Sequence, residues 1–263
     1  MEVIVLGASG SFSSPETGPC SGYLLETAGA RIWMDCGHGT FRELQRYCEP
    51  GDLSAIVVTH EHADHCADLT DAHIKMHFFD QCVAVPLFAP EGVHRVLERL
   101  IDFGDETFDV RIVADGDAVS VAETTLRFAR TDHSVETLAV EVADATGARL
   151  IYSSDTGPAW SPEIFAPEAD LVIHEASYLH AHRPWHLHCS AHEAGVAAKN
   201  AGARALMLTH RTPGIALQPW LAEGSAAFGR AVLHARSGAR VSVMDIASGG
   251  IHARDPRELG LER

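Results

Sequence analysis

The stretch VVTHEHADHC (residues 57–66) sets His60, His62, Asp64 and His65 within six consecutive positions, directly behind the apolar run AIVV (residues 55–58). A short apolar run that stops at polar residues reads as a buried strand. His60 and His62 are two apart, so an extended backbone turns them the same way. Asp64 and His65 come where the chain turns into a helix, and they point to a neighbouring position. One short segment therefore offers two ligand pairs, one for each of two ions.

The placement recurs along the chain, although the motif does not. Apolar strands end in TH at 59–60, SD at 154–155, HE at 174–175 and TH at 209–210. Side chains at strand ends converge on one edge of a sheet core, where sites in α/β folds usually sit. Two ions need a carboxylate to bridge them and one more imidazole each; Asp155 is the natural bridge, and His133 and His210 the natural closers. Nitrogen and oxygen donors without thiolate suit Zn²⁺, and Mn²⁺ or Fe²⁺ as well. An isolated His-x-His is usually a surface or core accident. His-x-His-x-Asp-His behind an apolar strand is a far more specific signal.

Around that motif, EVIVLG (2–7) predicts a first strand and SGYLLETAGARIWMDCG (21–37) two more about a turn at Ala28–Gly29. FRELQRYC (41–48) predicts a short helix, and ADLTDAHIKMHFFD (67–80) a helix with Leu69, Ala72, His73 and Met76 on one side. VAVPLFAP (83–90) and EGVHRVLERLIDFG (91–104) read as strand then helix, and residues 109–143 as β-rich. Two strand-and-loop units follow, ARLIYSSDTG (148–157) and ADLVIHEASY (169–178). SAHEAGVAAKNAGA (190–203) is a helix opened by a Ser190/Glu193 capping box, with Gly202 near its end. The strand RALMLTHR (204–211), a helix near 218–234 and a strand RVSVMDIA (240–247) complete the chain. Strands and helices intersperse without a low-complexity linker, so the expectation is one α/β domain over residues 1–263.

Composition narrows the function. Net charge is −16, from 36 acidic against 20 basic side chains, and Lys75 and Lys199 are the only lysines. That balance argues against broad binding of nucleic acid or an anionic membrane, which needs basic surface. It leaves room for a small anionic substrate, because bound metal can dominate the local field. Six cysteines without a C-x-x-C pair read as reduced thiols and a cytoplasmic setting. MEVIVLGASG (1–10) lacks the basic and apolar regions of a signal peptide, and no apolar run approaches the ~18 residues of a membrane span.

THEHADH (59–65), with His133 in TDHS, Asp155 in YSSDTG and His210 in LTHR, resembles the metallo-β-lactamase superfamily over nearly the whole chain. The resemblance implies a four-layer αββα sandwich with a dinuclear site on its edge. By that analogy His60, His62 and His133 hold one ion, Asp64, His65 and His210 the other, and Asp155 bridges. VLGASGSFSSPETGPCSGYLLE (5–26), HEAS (174–177) and HCS (188–190) resemble segments of ribonuclease Z and its phosphodiesterase relatives. They imply phosphodiester hydrolysis, with the ions polarising phosphoryl oxygens and generating hydroxide near neutral pH. His188 is the candidate proton donor to the departing ribose oxygen, Glu175 orients and charges it, and Asp64 both ligates and holds the nucleophile. His174, His180 and His186 are read as structural or solvent-exposed.

Two positions depart from the family pattern: Asp68 and Ser154 stand where glycine is usual. A third departure is length. Between His133 and Asp155 lies only SVETLAVEVADATGARLIYSS (134–154), a hairpin, where ribonuclease Z enzymes commonly carry a long arm that grips tRNA. The chain more closely resembles the compact bacterial cyclic-nucleotide phosphodiesterases of this superfamily, in GPCSGYLLE (18–26), EASYLH (175–180) and LHCSAHEAG (187–195). The leading expectation is a dinuclear phosphodiesterase acting on a small substrate such as a 3′,5′-cyclic nucleotide, without nucleic-acid or membrane partners and with a homodimer left open. A ribonuclease Z-like endonuclease is second. An ester or lactone hydrolase on the same metal core is third, and a non-catalytic metal-binding scaffold is the alternative from another class.

Overall fold

The apolar runs form strands buried on both faces, and that burial decides the architecture. In β1 (Glu2–Gly7), Val3 and Val5 face one core while Ile4 and Leu6 face another, as alternation along a strand requires. The structure, a computed structural model, describes residues 1–82, 84–101, 107–165, 167–182, 186–247 and 253–254. Three apolar clusters separate four layers. The central one joins the inner faces of two sheets, from Val3, Leu25 and Met34 to Val140, Leu150 and Met207.

The first sheet contains β1, β2 (Gly22–Thr27), β3 (Ala30–Met34), β4 (Ala55–Val57), β5 (Val85–Ala89) and β6 (Phe108–Ile112). In the second are β7 (Ala118–Val121), β8 (Thr124–Arg130), β9 (Leu138–Ala143), β10 (Arg149–Tyr152), β11 (Leu171–Glu175), β12 (Ala205–Thr209) and β13 (Leu233–His234). The last strands, β14 (Arg240–Ser242) and β15 (Ala253–Arg254), return to the first sheet. The strand orders are β15-β14-β1-β2-β3-β4-β5-β6 and β13-β12-β11-β10-β9-β8-β7.

Helices α1 (Thr40–Leu44), α2 (Ala63–Cys66), α3 (Asp68–Phe78) and α4 (Glu91–Leu100) lie on the first-sheet side. Phe41, Leu69, Met76 and Val93 of these helices share a cluster with the outward Ile4, Trp33 and Ile56. On the other flank, α5 (Ala191–Asn200) and α6 (Leu217–Phe228) cover the second sheet through Ala194, Ala198, Trp220 and Phe228. The result is the αββα sandwich, closed by α7 (Val243–Ala247). No helix among the described residues is long and apolar enough to cross a membrane.

α3 buries Leu69, Ala72, His73 and Met76, the face its spacing predicts, and Ser190 with Glu193 forms the capping box of α5. Three expectations need correction. The helix expected over 41–48 stops at Leu44. The one expected near 218–234 ends at Gly229, whose φ of 86° caps α6, and residues 233–234 are a strand. The strand expected over 240–247 lasts only to Ser242, after which the chain forms α7. Residue 83 of one expected strand and residues 102–104 of one expected helix lie outside the described residues.

Candidate metal centre

Strand ends carry the site. His60 and His62 follow β4, and Asp64 and His65 lie in α2, all beside the first sheet. His133, Asp155 and His210 follow β8, β10 and β12 of the second. Asp35, Ser154 and His210 take left-handed backbone angles just past their strands, with φ of 58°, 52° and 60°. Such conformations cost of order 1–3 kcal/mol each and persist where surrounding bonds hold them. That explains why glycine is usual at position 154. Here Ser154 is anchored by its hydroxyl, which donates to Thr59 Oγ1 at 2.7 Å.

The seven expected ligand residues come together as two groups that share Asp155. In the first, His62 Nδ1 lies 3.2 Å from both His60 Nε2 and His133 Nε2. Asp155 Oδ2 is 3.8 Å from His60 Nε2 and 4.0 Å from His133 Nε2. In the second, Asp155 Oδ1 is 3.2 Å from His65 Nε2 and 3.3 Å from His210 Nε2. Asp64 Oδ2 is 3.7 Å from His65 Nε2 and 3.2 Å from His210 Nε2. One carboxylate oxygen of Asp155 thus faces each group.

These donors fit divalent cations. Tetrahedral bonds of about 2.0–2.1 Å place two ligand nitrogens about 3.3 Å apart, close to the spacing of the imidazoles. His65 Nε2 and Asp155 Oδ1 are buried and 3.2 Å apart, yet neither has a hydrogen-bond partner. Buried polar atoms set this way against each other are costly unless a positive charge, a proton or a metal ion, lies between them.

The rings are held from behind. His65 Nδ1 donates to Asp35 Oδ2 at 2.7 Å and His133 Nδ1 to the Leu187 carbonyl at 3.2 Å. His210 Nδ1 meets Ser177 Oγ at 2.9 Å, and His60 Nδ1 meets Thr59 Oγ1 at 3.2 Å. Each bond occupies one ring nitrogen and leaves the other facing the centre.

Charge follows the same logic. Burial and the neighbouring His65 charge hold His60 well below the usual histidine range, and burial lowers His133. Burial opposes charge on Asp155 and Asp64, but the surrounding histidines outweigh it and keep both carboxyls well below their usual range. Burial likewise opposes charge on His65. Asp155, Asp35 and Asp64 overcome it and push that ring well above its usual range. The acidic cluster draws a proton in the way it would draw a cation.

His188 stands over both groups. Its ring stacks on His210 with centroids 5.3 Å apart and meets His133 edge-on at 5.2 Å. Nδ1 donates to Glu175 Oε1 at 2.9 Å. Glu175 is wholly buried and accepts also from the Thr156 amide and Ser177. Burial disfavours the His188 cation, yet Glu175, followed by Asp155 and Asp64, raises it to about 9. His174 is buried against Trp160 with its Nδ1 on the Glu175 carbonyl, whereas His180 is exposed. Neither joins the paired groups.

Asp35 escaped the sequence reading. Its Oδ1 accepts from the Thr59 amide and hydroxyl, both at 2.9 Å, and its Oδ2 from Tyr152 at 2.8 Å and His65. The signal was present in MD (34–35), another acid just past an apolar strand. Ser11 was also missed: its amide donates to Asp64 Oδ2 at 2.9 Å, a backbone contact that composition cannot announce.

The β-lactamase superfamily domain matches residues 30–211, and the chain belongs to that superfamily. It is a metallohydrolase by class. An uncharacterised protein of Mycobacterium leprae is 33% identical over 239 residues, covering 87% of this chain and 84% of its own. A ribonuclease Z of Methanosarcina mazei is 26% identical over 267 residues, covering 80% and 87%. The metallo-β-lactamase fold protein YhfI of Bacillus subtilis has the same fold in its crystal structure, with a TM-score of 0.82 at 24% identity, covering 91% of this chain and 97% of YhfI.

Proposed function

We propose that this chain is a dinuclear metal-dependent phosphodiesterase hydrolysing a small phosphodiester such as a 3′,5′-cyclic nucleotide. The observation that carries the reading is the pair His188–Glu175, set above two ligand groups that share Asp155. His60, His62 and His133 would hold one ion, Asp64, His65 and His210 the other, with Asp155 between; Zn²⁺ suits these donors best. When bound, the ions would supply charge that polarises the phosphoryl oxygens and acidifies an attacking water near neutral pH.

The chain's own residues do the rest. Asp64 holds the attacking water as well as its ion. The attacking water gives up a proton to solvent; as its oxygen bonds to phosphorus, the bond from phosphorus to the ribose oxygen breaks. The departing oxygen takes a proton from His188 Nε2, and Glu175 keeps that ring charged and oriented until the transfer. The product is a nucleoside monophosphate.

Substrate size follows from surface and length. A net charge of −16 repels a polyanion, and residues 134–154 are the short β9–β10 hairpin with no arm to grip tRNA. A single phosphate would escape that repulsion, because two cations held by the ligand groups would neutralise it. The relative named a ribonuclease Z supports a second reading as a tRNA endonuclease. The sandwich core shared by both sheets supports one domain over residues 1–263, and six free thiols fit a cytoplasmic setting. The test is parallel assay of metal-reconstituted protein on bis-p-nitrophenyl phosphate, cyclic AMP and precursor tRNA. Turnover of the first two with poor tRNA cleavage is expected; efficient tRNA cleavage without cyclic-nucleotide turnover would reverse the ranking.

A further inference from the structure

The strands β11 and β12 run parallel with Glu175 opposite Thr209. Their pairing continues past the end of β11, where the Ala176 amide donates to the Thr209 carbonyl at 2.9 Å. Trp220 Nε1 donates to the Ala176 carbonyl at 2.6 Å, so this short turn is held from both sides. Ser177 and His210 come next on the two strands, and both are buried. Ser177 Oγ lies 2.9 Å from His210 Nδ1 and 3.2 Å from Glu175 Oε2.

A hydroxyl has one hydrogen to give and lone pairs to accept with. The Ser177 hydrogen goes to Glu175 Oε2, so Oγ accepts from His210 Nδ1–H. His210 therefore keeps its hydrogen on Nδ1 and turns Nε2 toward Asp64 Oδ2 and Asp155 Oδ1, at 3.2 and 3.3 Å. The Ser177 amide also donates to Glu175 Oε2, at 3.2 Å. Oε1 is left for the Thr156 amide at 3.0 Å and His188 Nδ1 at 2.9 Å. The carboxylate is fixed at both oxygens, and its orientation aims the His188 ring. That ring stacks on His210, so His210, Ser177, Glu175 and His188 form a closed circuit. No buried member can shift alone without leaving a polar partner unmet, which is costly.

We propose that Ser177 is a positioning residue that couples the ligand His210 to the proton donor His188 through one hydroxyl. Its effect on turnover rests on the phosphodiesterase reading; its effects on metal binding and on the two rings do not. Zn²⁺ binding is measured by competition with a chelating dye. Ser177→Ala should weaken one zinc-binding step by about tenfold or more, the scale for losing the partner behind a ligating histidine. In zinc-loaded protein labelled with ¹⁵N-histidine, the Nδ1–H signals of His210 and His188 should both move, although Ser177 reaches His188 through Glu175.

At saturating zinc, Ser177→Ala should lower kcat on cyclic AMP by about tenfold with little change in KM. The same substitution in a His188→Ala background should cost far less, because groups that act as a unit are not additive. Ser177→Thr keeps the hydroxyl and should restore zinc affinity, both signals and turnover. Unchanged zinc affinity, a shift at His210 alone, or equal kcat losses with and without His188 would overturn the proposal. Equal losses in the Thr and Ala variants would place the effect in packing and overturn it as well. Zinc and signal changes as expected, in a protein that turns over no phosphodiester, would instead count against the reaction and leave the coupling standing.

Discussion

Asp155 offers one oxygen to each ligand group, so its loss should be felt by both. Asp155→Ala is expected to reduce metal content from about two ions per chain to near zero, read by elemental analysis of protein purified without chelator. One ion retained at full occupancy would contradict the bridge. His188 touches the carboxylate of Glu175 rather than completing either group. His188→Ala should therefore keep both ions while lowering turnover by roughly 10²-fold or more, the usual scale for a general acid. The loss should shrink on p-nitrophenolate esters, whose leaving group needs little protonation. Equal losses on good and poor leaving groups would remove His188 from that role. At this scale the sequence was most informative, because ligand chemistry is carried by residue type and the seven expected ligands do converge. It was least informative for the atoms behind them. Asp35 and Ser177 are ordinary letters until folding sets them against His65 and His210.

The elements show why a departure from a family pattern need not disturb a site. Asp68 begins α3, and its side chain accepts from the Phe41 amide at 2.8 Å. Gly39, the N-cap of α1, has no side chain to cap it, so Asp68 supplies that acceptor from another helix. Asp68→Ala should cost about 1 kcal/mol, as loss of an N-cap does, with metal content unchanged. Denaturant unfolding with parallel metal analysis checks both, and a lost ion would mean that Asp68 acts on the centre itself. Strands and helices with strong periodicity were legible: β1, α3 and α5 lie where their patterns put them. The strand misreading has a plain cause. RVSVMDIA alternates like a strand, yet only residues 240–242 pair with β1 and α7 follows. Pairing partners, which decide where a strand stops, are not written in the segment that forms it.

At the scale of the molecule, a half-buried histidine away from the centre makes stability depend on acidity. His234 packs edge-on against Trp220, and burial, with the charges of Arg211 and Arg236, lowers it to about 4. The unfolded chain takes up that proton near pH 6.5, so between about 6.5 and 4 it binds more protons than the folded one. Stability from this group is full above that window and falls as pH falls through it. His234→Gln should flatten this part of the stability profile; an unchanged slope between pH 7 and 5 in urea unfolding would refute the assignment. The division of the ligand set between the two sheets has a consequence in time. Neither half alone offers a full donor set, so ions are captured only after the halves dock, late in folding. Metal should then leave the refolding rate nearly unchanged and slow unfolding, the pattern of contacts absent from the transition state. Stopped-flow measurements with and without chelator would show it, and ions that accelerate refolding would mean that docking begins at the metal. In that light the centre is a clasp between two sheets, and the protein's lifetime is set by how long the clasp stays shut.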